Sequence, residues 1–300
     1  MERKVIQVEE RPPLLLNIPL SIQHLFAMFG ATVLVPFLFN VNPTTCLFMN
    51  GIGTLLYLFL TKGKIPSYLG SSFAFISPVM VILSTSSYSD AQSGFIVFGL
   101  IFILFSLIIK YTGTGWIDII FPPACMGAII AVIGLELAPT AAGMAGLTGD
   151  VIDFRNIAVS MFTLAVTIIG SVAFKGFMAI IPILFGVICG YIFSFFMGLV
   201  DLAPVAAAPW FQMPHFYQPT FNLNAILIIA PAALVVLAEH IGHLVVTGNV
   251  VERNLIKDPG LARSLFADGC SNVLSGFFGA TPNTCLLYTS PSPRDMRSSR

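Results

Sequence analysis

The stretch Ala225–Thr247, AILIIAPAALVVLAEHIGHLVVT, decides the fold class of this chain. It is long enough to cross a bilayer whose apolar core is about 30 Å thick. Its only ionisable side chains are Glu239, His240 and His243. A carboxyl group near mid-membrane costs at least about 2.5 kcal/mol, and such a group usually marks a substrate or proton site. The stretch therefore predicts both a membrane span and a functional residue, Glu239.

The composition of the whole chain is that of an all-α integral membrane protein. Hydrophobic residues make up 56% of the chain and charged residues 9%, whereas soluble domains are about 25% charged. The zero net charge gives no sign of a nucleic-acid partner, and we expect none. The cysteines show no metal-ligand spacing and read as small buried apolar residues.

Apolar segments predict nine membrane spans, which we place at residues 14–39, 44–61, 67–83, 92–109, 118–138, 157–173, 177–200, 225–247 and about 263–284. The connectors lie alternately on the two sides of the membrane, and their basic residues fall almost entirely on one of these sides. One side holds Arg3, Lys4, Arg11, Lys62, Lys64, Lys110, Lys175, Arg253, Lys257 and Arg263, and the other holds only Arg155. Because basic loops stay in the cytoplasm, we expect a cytoplasmic N-terminus.

The third span is interrupted by residues that weaken a helix. The segment Ile65–Leu83, IPSYLGSSFAFISPVMVIL, contains two prolines and the sequence Gly-Ser-Ser. Backbone that leaves helical geometry at membrane depth must line a cavity or be buried in protein. We expect an extended piece around Gly70–Phe75, followed by a half-helix, with free N–H groups at Ser72 and Phe73. A continuous helix with a proline kink is the alternative.

Two parts of the chain resemble each other weakly. Gln23–His24 in the first span corresponds to Glu239–His240 in the eighth, and Asn50–Gly51 corresponds to Asp268–Gly269. Because an odd number of spans separates the two copies, they would have opposite orientations. This is the inverted-repeat plan of secondary transporters, which places the substrate near the midplane on broken helices.

With these residues in view, the chain resembles the nucleobase–cation symporter-2 family, also called nucleobase–ascorbate transporters. The resemblance runs from about Glu9 to Thr284 and is carried by long stretches: ERPPLLLNIPLSIQHLFAMFGATVLVPFLF, NGIGTLLYLFLTKGKIPSYLGSSFAFISP, GTGWIDIIFPPACMGAIIAVIGLELA, PAALVVLAEHIGHLVVTGNVV and SGFFGATPNT. It implies fourteen spans in two inverted seven-span repeats, of which this chain holds the first and the start of the second. The implied activity is proton-coupled uptake of uracil or a near relative by alternating access across a bacterial cytoplasmic membrane.

The resemblance also implies a division into domains. Residues 1–110 (spans 1–4) and 206–284 (spans 8 and 9) would belong to a core domain, and residues 111–205 (spans 5–7) to a gate domain. Residues 285–300, CLLYTSPSPRDMRSSR, do not resemble the family and read as out-of-frame or vector-derived sequence. We therefore expect that about five spans and a second functional carboxylate are missing, so that the chain alone lacks part of the transport machinery.

The family's binding residues carry over to this chain one by one. The acid that hydrogen-bonds the pyrimidine falls on Glu239, and the histidine linked to proton coupling falls on His243. The extended stretch of the third span falls on Ser71, Ser72 and Phe73, with the backbone of Phe73 facing the base. The small residue that packs on the ring falls on Ala31.

Three further polar residues are assigned supporting roles from their positions. Gln23, His24 and His240 read as hydrogen-bond partners inside the core rather than as metal ligands, because zinc sites usually have three or four protein ligands. We expect neither a metal nor a cofactor. The expected partners are a nucleobase, protons, membrane lipid and a second copy of the chain.

Other functions remain open at this stage. Within the family, xanthine, another purine or ascorbate could replace uracil. An anion transporter of the same architecture is disfavoured, because Glu239 would repel the substrate. A membrane hydrolase would need a nucleophile or a complete metal shell at the depth of Glu239, and the sequence offers no such set.

Overall fold

A computed structural model describes residues 13–120, 122–148, 153–174, 182–207 and 213–285, and the described chain is mostly helical. The helices are α1 (Leu14–Phe29), α2 (Val35–Leu38), α3 (Pro43–Leu60), α4 (Ile76–Leu83), α5 (Tyr88–Thr112), α6 (Ile117–Ile120), α7 (Pro123–Met144), α8 (Phe154–Ala173), α9 (Pro182–Phe196), α10 (Ala203–Ala207), α11 (Leu223–Ile229), α12 (Ala232–Val251) and α13 (Leu261–Phe278). Two short strands, β1 (Leu69–Ser71) and β2 (Asn283–Cys285), complete the described elements.

The predicted spans coincide with these helices. Five segments among the described residues are long and apolar enough to cross a membrane: Pro43–Leu60, Tyr88–Thr112, Gly127–Met144, Phe154–Ala173 and Leu223–Asn249. The first span is covered by α1, a π-helical segment (Gly30–Leu34) and α2. The seventh is covered by the shorter apolar helix α9, and the start of that predicted span lies outside the described residues. These long apolar helices are consistent with the integral membrane class expected from the sequence.

The eighth span is a kinked helix. Helix α11 ends at Ile229 and α12 begins at Ala232, and Ala230 and Pro231 between them keep helical backbone angles. Proline has no N–H to donate, and its ring crowds the carbonyl group four residues earlier, which kinks a helix. The kink lies two turns before Glu239, which itself stands inside the regular helix α12.

The third span is broken, as its glycine and prolines predicted. Strand β1 is followed by a single 3-10 turn at Phe73–Phe75 and then by the short helix α4. The extended part is shorter than expected, because Phe73–Phe75 is already helical. This irregular backbone is buried in protein, and Leu69, Ser71 and Phe75 have no exposed surface, as backbone at this depth requires.

The two strands pair with each other across the chain. Strands β1 and β2 are antiparallel, with Gly70 opposite Thr284 and Ser71 opposite Asn283. The N–H of Ser72 extends the pairing by donating to the carbonyl of Pro282 (3.0 Å). Backbone groups that no helix satisfies thus satisfy each other, which is necessary where no water is present.

Helices α5 and α13 pack with their backbones in direct contact. A Cβ atom added to Gly269 would lie 2.7 Å from the carbonyl oxygen of Gly99, and one added to Gly99 would lie 2.7 Å from the carbonyl oxygen of Gly269. Small residues allow such close approach between membrane helices. Because α13 also packs against α3, it is the central helix of the bundle that holds the polar residues described next.

Helices α8 and α9 form a separate hairpin. They pack mainly on each other, with Thr163 and Thr167 of α8 against Gly190 and Gly186 of α9. Their remaining apolar side chains are largely exposed, which suits contact with lipid. This hairpin lies apart from the buried polar residues of α3, α12 and α13.

Candidate functional site

Glu239 and His243 lie one helical turn apart on α12. The side chain of Glu239 is 19% exposed and that of His243 is 5% exposed, and Oε1 of Glu239 lies 3.9 Å from Nε2 of His243. This distance is too long for a hydrogen bond but close enough for the charge of one group to act on the other. His243 also interacts with the backbone at Cys285, which ties the helix to strand β2. The pair expected from the sequence is therefore brought together.

The broken third span lies beside α12. The 3-10 turn Phe73–Phe75 packs directly against this helix, while Ser71 and Ser72 are buried. The hydroxyl groups of Ser71 and Thr281 are hydrogen-bonded to each other (2.7 Å). The expectation of a free N–H at Ser72 is wrong, because this group donates to Pro282. Phe73 is the first residue of the 3-10 turn, a position whose N–H has no partner within the helix.

The predicted residues of the first span are placed only in part. Ala31 lies in the π-helical segment Gly30–Leu34, which packs against β1. The ring of His24 meets the ring of Tyr68 edge-on, with centroids 5.9 Å apart. The side chains of Ala31 and Gln23 lie outside the described part of the structure. The first span thus borders the broken segment, and His24 has an aromatic neighbour there.

His240, the residue after Glu239 on α12, joins a buried polar chain. Its Nε2 is hydrogen-bonded to the hydroxyl of Ser264 (2.7 Å), which is in turn hydrogen-bonded to the hydroxyl of Tyr57 (2.7 Å). Its Nδ1 lies 3.3 Å from Oδ2 of Asp268. The supporting role expected for His240 fits these contacts. Sequence reasoning identified neither Ser264 nor Tyr57.

A second group of buried polar residues surrounds Asn283. Its backbone exchanges two hydrogen bonds with the side chain of Asn272, one accepted by Oδ1 (2.8 Å) and one donated by Nδ2 (2.7 Å). Its own side chain accepts from Ser271 (2.9 Å) and donates to Ser275 (3.0 Å). Asn283 Nδ2 also lies 3.5 Å from Oδ1 of Asn50. Strand β2 is thereby fixed to α13.

The sequence did contain one signal for this group. Asn50 and Asp268 occupy matching positions in the two parts of the chain that resemble each other. Asp268 accepts a hydrogen bond from Asn272 (3.3 Å), and Asn272 is itself bonded to the backbone of Asn283. Asn50 contacts Asn283 directly, so both matching residues are connected to Asn283. The match pointed to related positions, but not to the residue on which they converge.

Two clefts lie away from Glu239. One, of about 340 Å³, is lined by the last turns of α12 and the following turn, including Asn249 and Arg253. The other, of about 400 Å³, lies between Lys110 of α5 and Arg263 of α13. Across the described ranges, no group of three His, Cys, Asp or Glu side chains is arranged to hold a metal ion.

Comparison with known proteins assigns the chain to a family. The family model described as "Permease family" matches residues 16–288, which extends a few residues beyond the resemblance expected to end at Thr284. Similar proteins include the uracil permeases of Escherichia coli (strain K12), 63% identical over 287 residues, of Paenibacillus larvae, 59% identical over 290 residues, and of Bacillus caldolyticus, 42% identical over 292 residues. Each match covers 95% of this chain.

The same matches cover 67%, 69% and 67% of the three relatives. The chain thus spans about two thirds of their length. A family match over nearly the whole chain, long apolar helices, and a buried polar bundle at the broken span agree with one another. The chain belongs to the permease family and is a multi-pass membrane transporter rather than an enzyme.

Proposed function

We propose that the full-length protein containing this sequence takes up uracil or a closely related nucleobase together with protons. Glu239 binds the base, and His243 modulates the protonation of Glu239. The observation that carries the proposal is the position of Glu239. Its carboxyl group is mostly buried, on a helix that packs against the irregular turn Phe73–Phe75. The names of the similar proteins, all uracil permeases, point to the same substrate.

The chemistry of the substrate suits these residues. Uracil is flat and uncharged, with two ring N–H donors and two carbonyl acceptors. An ionised carboxylate can only accept hydrogen bonds, so Glu239 takes a ring N–H. Phe73 offers a backbone N–H at the start of its turn and an aromatic ring as an apolar wall. Ala31, in the segment beside β1, is the small residue that leaves room for the ring.

Proton coupling follows from the same pair. The carboxyl group of Glu239 lies 3.9 Å from the imidazole of His243. A proton can therefore pass between these two side chains with little movement of either. The ordinary pKa of histidine, about 6.5, suits a partner in such an exchange. In this cycle the Glu239–His243 pair takes up one proton with the base on the outside, with the proton on His243 and Glu239 ionised to hold the base, and it releases both in the cytoplasm. Uptake is then driven by the proton gradient across a bacterial cytoplasmic membrane.

The arrangement of the strands supports an inverted repeat. In an inverted repeat, a two-fold axis in the membrane plane relates the two copies, so equivalent segments run in opposite directions across the membrane. Two equivalent strands that pair across this axis are antiparallel, as β1 and β2 are. In this scheme α1 to α5 and α11 to α13 belong to the core domain, and α6 to α9 belong to the gate. Lys64 and Asp258, on connectors assigned to the cytoplasmic side, form an ion pair at 2.6 Å. That contact requires both connectors to share one side.

The test uses the full-length transporter in proteoliposomes. Glu239→Gln removes the charge but keeps the shape of the side chain. A hydrogen bond to a charged group contributes about 1.5–3 kcal/mol, so the KM for uracil should rise about 10- to 150-fold. His243→Ala should weaken the dependence of uptake on the proton gradient. Glu136→Gln, which changes an exposed glutamate on α7, is the matched control and should transport normally.

Two results would count against the proposal. Unchanged uptake by both Glu239→Gln and His243→Ala would remove these residues from the mechanism. Competition by xanthine or ascorbate that exceeds competition by unlabelled uracil would transfer the site to another substrate of the same class.

A further inference from the structure

Four side chains from three helices form a continuous polar chain beside Glu239. Tyr57 of α3 is hydrogen-bonded to Ser264 of α13 (2.7 Å), and Ser264 is hydrogen-bonded to His240 of α12 (2.7 Å). The other ring nitrogen of His240 faces Asp268 of α13 at 3.3 Å. The proposed transport mechanism uses none of these four residues, although His240 directly follows the binding carboxylate in sequence.

Burial makes the acid in this chain costly unless it is balanced. Asp268 has no exposed surface, and His240 has 2%. An isolated carboxylate in such a place is strongly disfavoured, whereas a carboxylate next to a protonated imidazole forms a pair without net charge. The Nδ1–Oδ2 separation is within bonding range, but neither atom meets the angular geometry of a hydrogen bond. The balance between these two groups is therefore mainly one of charge.

Asp268 is connected to Glu239 through His240, because its Oδ2 lies 3.3 Å from Nδ1 of the residue that directly follows Glu239. Both carboxyl groups stand in a buried region, where like charges repel. The other ionisable groups around Asp268 are Tyr57 of α3 and Cys285 at the end of β2. Helix α5 contributes the ring of Phe102, whose edge meets His240 at 6.1 Å between centroids. Among the described residues, His240 is the basic group that contacts Asp268, whereas His243, the other histidine of α12, lies beside Glu239 and interacts with His240.

We propose that His240 is a positioning residue for transport, which neutralises the charge of Asp268 beside Glu239 and thereby sets the pH range in which Glu239 binds the substrate. This inference rests on the proposed role of Glu239. One proton is shared within the pair, on Nδ1 of His240 or on Oδ2 of Asp268. Ser264 and Tyr57 hold the ring in place through Nε2. No proton needs to leave the pair for this function.

The two members of the pair give different predictions. His240→Gln leaves Asp268 without its cation, so repulsion between the two carboxylates should move the midpoint of the dependence of uracil KM on pH toward alkaline pH by about one unit. Asp268→Asn removes the acid and leaves His240 neutral, so the midpoint should stay near the wild-type value, because the pair carries no net charge in either protein. The double variant should also return to the wild-type midpoint, because no carboxylate remains to be balanced.

The experiment measures KM and maximal uptake of radiolabelled uracil by the full-length transporter in proteoliposomes, from about pH 5.5 to 8.5. Cys270→Ser, on the same helix but outside the polar chain, is the control and should keep the wild-type profile. If His240→Gln does not fold, Ser264→Ala removes only the hydroxyl opposite Nε2 and should give a smaller alkaline shift. A purely structural role would lower the amount of active protein without moving the midpoint.

The outcomes separate the two proposals. An unshifted midpoint in His240→Gln, or an alkaline shift that persists when Asp268→Asn is added, would overturn the role of His240 while wild-type uptake and its dependence on Glu239 stand. If instead the wild-type protein takes up no uracil, or Glu239→Gln takes it up normally, the proposed function fails first and the role of His240 falls with it.

Discussion

The contact between α5 and α13 gives a stability prediction whose size follows from the structure. In Gly269→Ala, the new Cβ would lie 2.7 Å from the carbonyl oxygen of Gly99, 2.8 Å from Cγ1 of Ile103 and 3.0 Å from the nitrogen of Ile103. Comfortable contacts of carbon are about 3.3–4.0 Å, so the helices must move apart by about half an ångström. Overpacking of this kind costs about 1–3 kcal/mol. We expect the upper part of this range, because two of the three obstructing atoms belong to the backbone and cannot rotate away.

A matched variant isolates this cost. Gly51→Ala places the same methyl group on α3, where nothing lies within 4 Å of it. Replacing glycine by alanine favours a helix by about 0.8–1.0 kcal/mol, and this gain is common to both variants. The difference between them therefore measures the overpacking alone. At about 2–4 °C per kcal/mol, an overpacking cost of about 2–3 kcal/mol means that Gly269→Ala should melt about 4–12 °C below Gly51→Ala.

The assay is thermal unfolding of the full-length protein in one detergent. Its readout is the fraction of protein that remains monodisperse after heating to each temperature. The two variants are purified and heated side by side with the wild-type protein. A melting temperature of Gly269→Ala equal to or above that of Gly51→Ala would show that the two backbones are not in contact.

Two further predictions concern polar contacts. Asn283→Ala leaves the hydroxyl groups of Ser271 and Ser275 without their buried partner, at about 1–3 kcal/mol for each unsatisfied group, so the melting temperature should fall by several degrees; an unchanged value would mean that β2 is not fixed through this side chain. At the surface, the hydrogen bond from Lys64 holds the pKa of Asp258 below its ordinary value. The pair therefore contributes its full stability at pH values above the ordinary pKa of a carboxyl group, and this contribution is lost as the pH falls through the lowered pKa. Asp258→Asn should therefore leave the pH dependence of stability unchanged between about pH 5.5 and 8.5, and a slope that appears there in thermal unfolding would contradict this assignment.

The positions of the spans could be predicted from the sequence because they depend on length and apolarity alone. Each predicted span coincides with a helix or with a group of short elements in the described ranges. The kink in the eighth span was harder to predict. Pro231 was visible in the sequence, but a proline in an apolar run does not say how strongly the helix is disturbed; in the structure, Ala230 and Pro231 keep helical backbone angles and form a kink between α11 and α12.

The partners of the polar residues could not be predicted, because they are distant in the sequence. The N–H of Ser72 looked free on its own segment, but its acceptor, Pro282, comes from the far end of the described chain. The same holds for Tyr57, whose partner Ser264 lies 207 residues away. Glu239 and His243 were found because a helical turn brings them together, which needs no knowledge of the fold.

The pairing of β1 with β2 has a consequence for how the protein is made. The hydroxyl group of Ser67 meets the sulfur of Cys285, and 218 residues separate the two. While the ribosome is still synthesising the intervening segments, the peptide groups of Leu69–Ser71 have no strand to pair with and must be kept hydrated or held by the insertion machinery. The first half cannot mature as an independent unit, so biogenesis stalled before Asn283 should yield a chain that is inserted but left for quality-control proteases.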